Sequence, residues 1–171
     1  IGKSGNIAKK IVATFNSTGQ PSLFLHPTDA IHGDLGNIQS NDIVLCISKS
    51  GNTSEIKALV PLIKEMDNVL IGMTGNLQSY LFKEADFVLD VSVEKEACPN
   101  NLAPTSSTTA QLVMGDALAV SLLACKNFTE QDFARFHPGG TLGRRLNLKL
   151  ANILHENSAP HVISEATISQ V

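Results

Sequence analysis

Ile43-Val44-Leu45-Cys46-Ile47-Ser48-Lys49-Ser50-Gly51-Asn52-Thr53-Ser54-Glu55-Ile56 changes character half-way along. Its first half is apolar nearly throughout, as expected of a parallel strand covered on both faces. Its second half turns to hydroxyls and a glycine. It then opens into Thr53 to Met66, where Ile56, Leu59, Val60, Ile63 and Met66 recur at the spacing of an amphipathic helix. A buried strand that hands over to a helix through a polar loop is one arm of an α/β sheet.

The same alternation extends outward. Further strands are predicted at Ser22–His26, Val69–Thr74 and Phe87–Val91. A helix over Gly5 to Thr18 carries Ile7, Ile11 and Phe15 on one stripe and stops at Gly19, with Pro21 beyond. Thr105 to Lys126 is the longest helix and is apolar nearly all round, so it should be central or lie at a subunit interface. Pro61 removes a backbone donor inside the 53–66 helix, and a kink or early restart is expected there. Right-handed crossovers turn this order into a doubly wound parallel sheet sandwiched by helices, flavodoxin-like or Rossmann-like. The domain should occupy residues 1–156, with 157–171 a polar tail or linker and a change of character from Phe128 onward. Ile1 and Gly2 read as the end of a strand, which leads us to expect a further N-terminal segment.

Composition limits the function. The 171 residues suit one globular domain, at 43% hydrophobic and 17% charged. A net charge of −3 with no Lys/Arg cluster disfavours a nucleic-acid partner. Three cysteines, Cys46, Cys98 and Cys125, show no CxxC spacing and fit a reducing cytosol. The most apolar run, Ala117 to Cys125, is too short for a membrane span and is expected to be a buried helix.

Three loops carry donors. Ser48, Ser50, Gly51, Asn52 and Thr53 lie where the strand meets the helix, and helix N-termini bind anions through unpaired N–H groups and a positive dipole end. Ligands in such sheets bind outside the carboxyl ends of the strands, which is where this loop falls. Gly2-Lys3-Ser4-Gly5 is a second loop of this kind, too short for a Walker pattern and only part of GxGxxG. Thr105-Ser106-Ser107-Thr108-Thr109 is the third; five hydroxyls exceed what one cap uses and disfavour a helix interior. Each loop alone would also fit an ordinary capped helix. Converging, they suit a small anionic ligand such as a phosphosugar better than a dinucleotide.

The S-x-S-G-x-T loop at 48–53 resembles the phosphate-binding signature of sugar isomerase (SIS) domains. More narrowly, G-K-S-G at 2–5, H-G-D-L-G at 32–36, K-E-A-C-P at 95–99, L-A-P-T-S-S-T-T at 102–109, M-G-D-A-L-A at 114–119 and H-P-G-G-x-L-G at 137–143 are similar to the arabinose-5-phosphate isomerase family. These matches run to about Leu146. The resemblance implies a five-stranded parallel sheet, a cytoplasmic homotetramer and interconversion of D-ribulose 5-phosphate and D-arabinose 5-phosphate. The product would supply Kdo for lipopolysaccharide or capsule. Long members continue into paired CBS domains, and this chain resembles the short or a truncated form. Kdo or its nucleotide-linked form is then a candidate feedback ligand. The family loop often reads S-G-E-S-S-E; here Ser50-Gly51-Asn52-Thr53-Ser54-Glu55 departs from it but keeps the final Glu.

Moving a carbonyl between C1 and C2 requires a base, an enediol intermediate and a returned proton. The candidates are Glu96, Glu55, His32 and His137, with Lys3 for electrostatic help. The resemblance points to Glu96 as base and promotes Glu55, which otherwise suits the helix dipole. His137, before Pro138-Gly139-Gly140, could open the ring or protonate an enediolate oxygen. His32 could reach a neighbouring subunit's site. Phosphate falls to Ser4, Ser48, Ser50 and Thr53, with Gly2, Gly51, Asn52, Ser106, Ser107 and Thr108 around it. These residues offer no HxxxH or HxH spacing and the chemistry needs no metal, so neither metal nor cofactor is expected. Two alternatives stand: an isomerase for another sugar phosphate, and a non-catalytic phosphosugar sensor, which would need no base.

Overall fold

The computed structural model describes residues 1–148 and Thr167. It divides into two compact units, Ile1–Phe128 and a second beginning at Thr129, where the sequence changes character. Most of the predicted 157–171 tail lies outside the described residues.

The first unit contains α1 (Gly2–Ser17), α2 (Pro27–Ala30), a 3-10 turn (Asp34–Asn37), β1 (Ile43–Ser48), α3 (Ser54–Glu65), β2 (Val69–Thr74), α4 (Tyr80–Glu84), β3 (Phe87–Asp90) and α5 (Ser106–Cys125). The three strands are parallel in the order β1-β2-β3, with Ile43 opposite Val69 and Ile71 opposite Phe87. Alternate residues feed two cores. Cys46 and Leu70 pack with Ile56, Leu59, Val60 and Ile63 of α3 and Leu81 of α4. Leu45, Ile47, Met73 and Val91 pack with Ile11 of α1 and Met114 and Leu118 of α5. Helices therefore cover both faces, as the apolar strands require.

Four expectations change. Residues 22–26 join no ladder among the described residues. Asn16 takes both backbone groups of Ser22, its amide donating to Ser22 O at 3.0 Å and its oxygen accepting from Ser22 N at 2.8 Å. The described sheet accordingly has three strands instead of the five implied by resemblance. α3 runs through Pro61 without interruption. The Gly2-Lys3-Ser4 loop is the first turn of α1, with Gly2 at φ +58°.

The fourth concerns α5. At 20 residues, it is long and apolar enough to cross a membrane by length and composition, contrary to the shorter run read from sequence. Its polar first turn spends hydroxyls on its own backbone: Thr108 and Thr109 both donate to Thr105 O, at 2.9 and 3.0 Å. Nor is it buried all round. Ser107, Gln111, Gly115 and Ala119 form the buried stripe, while Val113 and Val120 on the rest of the helix are 62% and 65% exposed. Gly115 admits Ile11 of α1, and Lys10 pairs with Asp116 across the same two helices.

The second unit holds α6 (Glu130–Phe136) and α7 (Thr141–Asn147). A capping box starts α6: Thr129 Oγ1 accepts from Asp132 N at 3.2 Å, and Asp132 accepts from Thr129 N at 2.9 Å.

Candidate active site

β1 ends in a loop that folds on itself. Ser48 Oγ accepts from Gly51 N at 3.1 Å and Ser50 Oγ from Asn52 N at 3.4 Å. A hydroxyl that accepts keeps its own proton to donate, so both serines retain a donor for a ligand. Gly51 has φ +62°, and a side chain there would collide with Ser79 and Thr74. The next loop pins the arrangement: Gly75 N donates to Lys49 O at 3.1 Å, Leu81 N to Gly51 O at 3.0 Å and Tyr80 N to Asn52 Oδ1 at 2.9 Å.

Beside this loop lies a cavity of about 280 Å³. Ser48, Lys49, Ser50 and Thr53 line it from β1 and the start of α3; Lys3 and Ser4 line it from α1, and Ser107 and Thr108 from α5. Small-molecule sites begin at about 300 Å³, so the space suits one small ligand. Of the candidates read from sequence, Lys3, Ser4, Ser48, Ser50, Thr53, Ser107 and Thr108 meet here. Gly51 and Asn52 shape the loop behind them, while Gly2, Ser106, His32, Glu55 and Glu96 are not part of the lining.

Glu96 sits just behind it. Its side chain is 1% exposed. Oε1 accepts from Lys49 Nζ at 2.6 Å and from Ser107 Oγ at 2.5 Å. Oε2 accepts from Thr105 N at 2.8 Å, Thr105 Oγ1 at 3.2 Å and Ser107 N at 3.1 Å. Asn101 Oδ1 fixes the Glu96 N–H at 2.7 Å. The Lys49 ammonium first, then the Ser107 hydroxyl and the Thr105 N–H, hold the carboxyl far below the usual carboxylate range despite its burial. The start of α5, expected to offer its N–H groups to a ligand, thus gives those of Thr105 and Ser107 to Glu96.

Glu55, in the first turn of α3, is also held as carboxylate, by its own N–H and then the hydroxyls of Ser54 and Thr53. His32 is exposed just beyond α2, and its N–H bonds Asp29 O at 3.0 Å. His137 belongs to the second unit, where its ring stacks on Phe133 at 3.9 Å. Its Nδ1 lies 2.9 Å from Phe133 O. A carbonyl only accepts, so Nδ1 is the donor in this contact and Nε2 is left for another partner. Cys46 is buried, and burial pushes its thiol up to about 12; the thiol of Cys98 is drawn down by the N–H of Ala103 and its neighbours. No group of His, Cys, Asp and Glu placed to hold a metal occurs among the described residues.

Lys49 is what sequence reasoning passed over. It stood inside the quoted loop, but nothing there indicated a partner 47 residues away.

The SIS domain model matches residues 1–121. The chain belongs to the SIS-domain family. It is 58% identical over 155 residues to the arabinose 5-phosphate isomerase KdsD of Pseudomonas aeruginosa, covering 91% of this chain and 48% of that protein. The Escherichia coli K12 protein of the same name is 54% identical over 169 residues, 98% of this chain and 52% of its own length. The chain therefore spans about half the length of these curated relatives. Among solved structures, E. coli CFT073 c3406 in complex with arabinose 5-phosphate matches at TM-score 0.78 and 48% identity, over 80% of this chain and 73% of that one. A phosphosugar isomerase assigned to capsule formation in Bacteroides fragilis matches at TM-score 0.79 and 44% identity, over 82% and 74% of the two chains.

Proposed function

We propose that this SIS domain is an aldose–ketose isomerase that interconverts D-ribulose 5-phosphate and D-arabinose 5-phosphate through an enediol. The observation that carries the reading is the cavity at the carboxyl end of β1, lined by hydroxyls from three helix starts and by two lysines, with a buried glutamate behind it. Similarity to a solved protein that holds arabinose 5-phosphate supports the choice of sugar.

In this reading Ser48, Ser50, Thr53 and Ser4 hold the phosphate, and Lys3 adds positive charge. Glu96 takes a proton from C1 of the ketose. The C–H electron pair becomes the C1–C2 double bond, and the C2 carbonyl oxygen gains the charge. The C2 oxygen then gains a proton and the C1 hydroxyl gives one up, so that return of the carbon-bound proton to C2 on one face leaves a hydroxyl at C2 and the aldehyde at C1. His137 acts as the acid or ring-opening group, for which Nε2 is left by the Nδ1 contact to Phe133 O, while Glu55 and His32 assist.

The exposed Val113 and Val120 support an assembly of copies, here a homotetramer. Three free cysteines suit the cytoplasm. The product would feed Kdo synthesis, and Kdo or its nucleotide-linked form would act as a feedback ligand.

The test is turnover of ribulose 5-phosphate by the purified protein beside Glu96→Gln. Arabinose 5-phosphate should form with the parent and fall by about a hundred- to ten-thousand-fold in the variant, the range for loss of a general base. Tight sugar-phosphate binding without turnover would instead identify a sensor.

A further inference from the structure

The two oxygens of Glu96 are engaged differently. Oε2 is held by backbone and side-chain donors of Thr105 and Ser107 at the start of α5. Oε1 is held by Lys49 and by the Ser107 hydroxyl, and both residues line the cavity. One oxygen thus anchors the carboxylate to the fold, and the other is covered from the ligand side.

Lys49 differs from Glu96 in exposure as well as charge. Its side chain is 48% exposed against 1% for Glu96. A lysine carries its ammonium on a flexible four-carbon stem with rotatable donors, so it can exchange one anion for another. Ser48 and Ser50, its neighbours in sequence, line the same cavity and are among the hydroxyls that hold the phosphate in the reading above. A carboxylate that keeps five donors is a poor base, because each favours its charged form. Substrate must therefore relieve some of them if Glu96 is to take a proton.

We propose that Lys49 is a positioning residue that covers Glu96 Oε1 until an anionic sugar phosphate fills the cavity, whereupon its ammonium pairs with the ligand and frees Oε1 to act as base. The proposal rests on the isomerase reading and adds a substrate-gated step to it. The groups facing Glu96 are Lys49 from the end of β1 and Thr105 and Ser107 from the start of α5, with Asn101 on its N–H. Glu94 and Lys95 on its own loop are exposed, and Lys3 of α1 is a second lysine on the cavity wall. When Oε1 takes the proton from carbon, the C–H bond breaks, the O–H bond forms and the electron pair stays on the enediolate. The displaced Lys49 ammonium is then available to the ligand's negative charge.

The experiment is a carbon-13 NMR titration of the Glu96 carboxylate, identified by its loss in Glu96→Gln, with and without D-arabinitol 5-phosphate. That probe has the phosphate and hydroxyls but no carbonyl. Binding should move the Glu96 titration up by about one pH unit or more, the scale on which one close cation acts. Lys49→Met should show the raised titration without the probe and no further rise with it, and Lys49→Arg should restore the low one. In turnover, Lys49→Met should raise KM and move the acid limb of kcat/KM upward, as a purely structural loss would not. A Glu96 titration that ignores the bound probe overturns the gate, whether or not Glu96 is the base. Full turnover by Glu96→Gln overturns the base assignment and leaves the titration to be judged separately. Failure of the probe to bind overturns both.

Discussion

Ser107 donates to both oxygens of Glu96, its hydroxyl to Oε1 at 2.5 Å and its N–H to Oε2 at 3.1 Å. An acid placed so at the start of a 20-residue helix also serves as a cap, meeting unpaired N–H groups and the positive dipole end.

Stability should therefore depend on the charge of Glu96. Its folded-state pKa is depressed, so its contribution is full above the unfolded value of about 4.3 and is lost as pH falls toward the folded one. Asp132, drawn down first by the Thr129 N–H, weakens α6 in the same acid range. Glu96→Gln should have a lower urea midpoint than the parent at pH 7, with the gap closing as pH falls below about 4. A gap that persists unchanged at acid pH would contradict a charge-based role.

Gly51→Ala should damage the loop after β1. The new methyl would meet Ser79 and Thr74, and a φ of +62° strains any side chain, at about 1–3 kcal/mol for such outliers. The expected result is a loss of that order in urea unfolding, with KM raised more than kcat is lowered. Ser79→Gly in the same chain should return part of both. Equal damage with and without it would place the fault in the backbone angle alone.

Gln111 is fully buried, yet neither its amide nitrogen nor its oxygen has a hydrogen-bond partner among the described residues. Gln111→Leu keeps the volume and removes two desolvated polar atoms, so a gain of about 1 kcal/mol is expected. Calorimetry or urea unfolding would read it. A loss instead would reveal an ordered water or polar group held by the amide.

The cysteines should separate in alkylation. Cys46 is buried with its thiol pushed up to about 12, whereas Cys98 is half-buried with its thiol drawn down by backbone N–H groups. Since the thiolate reacts, peptide mapping after brief native labelling at pH 7 should find Cys98 modified and Cys46 untouched. Labelling of Cys46 at a similar rate would mean that the first core opens on that time scale.

The strands Ile43–Ser48 and Val69–Thr74 were legible to the residue, because apolar runs bounded by polar turns have few other uses in a parallel sheet. Ser22–His26 is also apolar at its centre, but a strand exists only where a ladder receives it, and at Ser22 the Asn16 side chain supplies the partners. α3 was legible apart from the effect of Pro61, since one lost backbone bond is small beside a stripe of four buried apolar residues. At the site, residue types could be read but not their pairings. Ser48 and Ser50 announce themselves as loop hydroxyls, whereas Glu96 with Lys49 is a contact across 47 residues. The hydroxyl run at the start of α5 fitted either ligand donors or an ordinary cap; part of it serves the helix and Glu96.

The loop after β1 hangs from Gly75 just beyond β2 and from Tyr80 and Leu81 at the start of α4, and Thr74 and Ser79 close round its glycine. Its genetics should follow this wiring. A loss-of-function screen would recover alleles at Thr74 and Ser79 alongside those at Ser48 and Ser50, and their carriers would resemble binding mutants although neither residue lines the cavity. Resistance to a phosphosugar mimic could arise by the same indirect route, at positions a map of ligand contacts would leave unmarked.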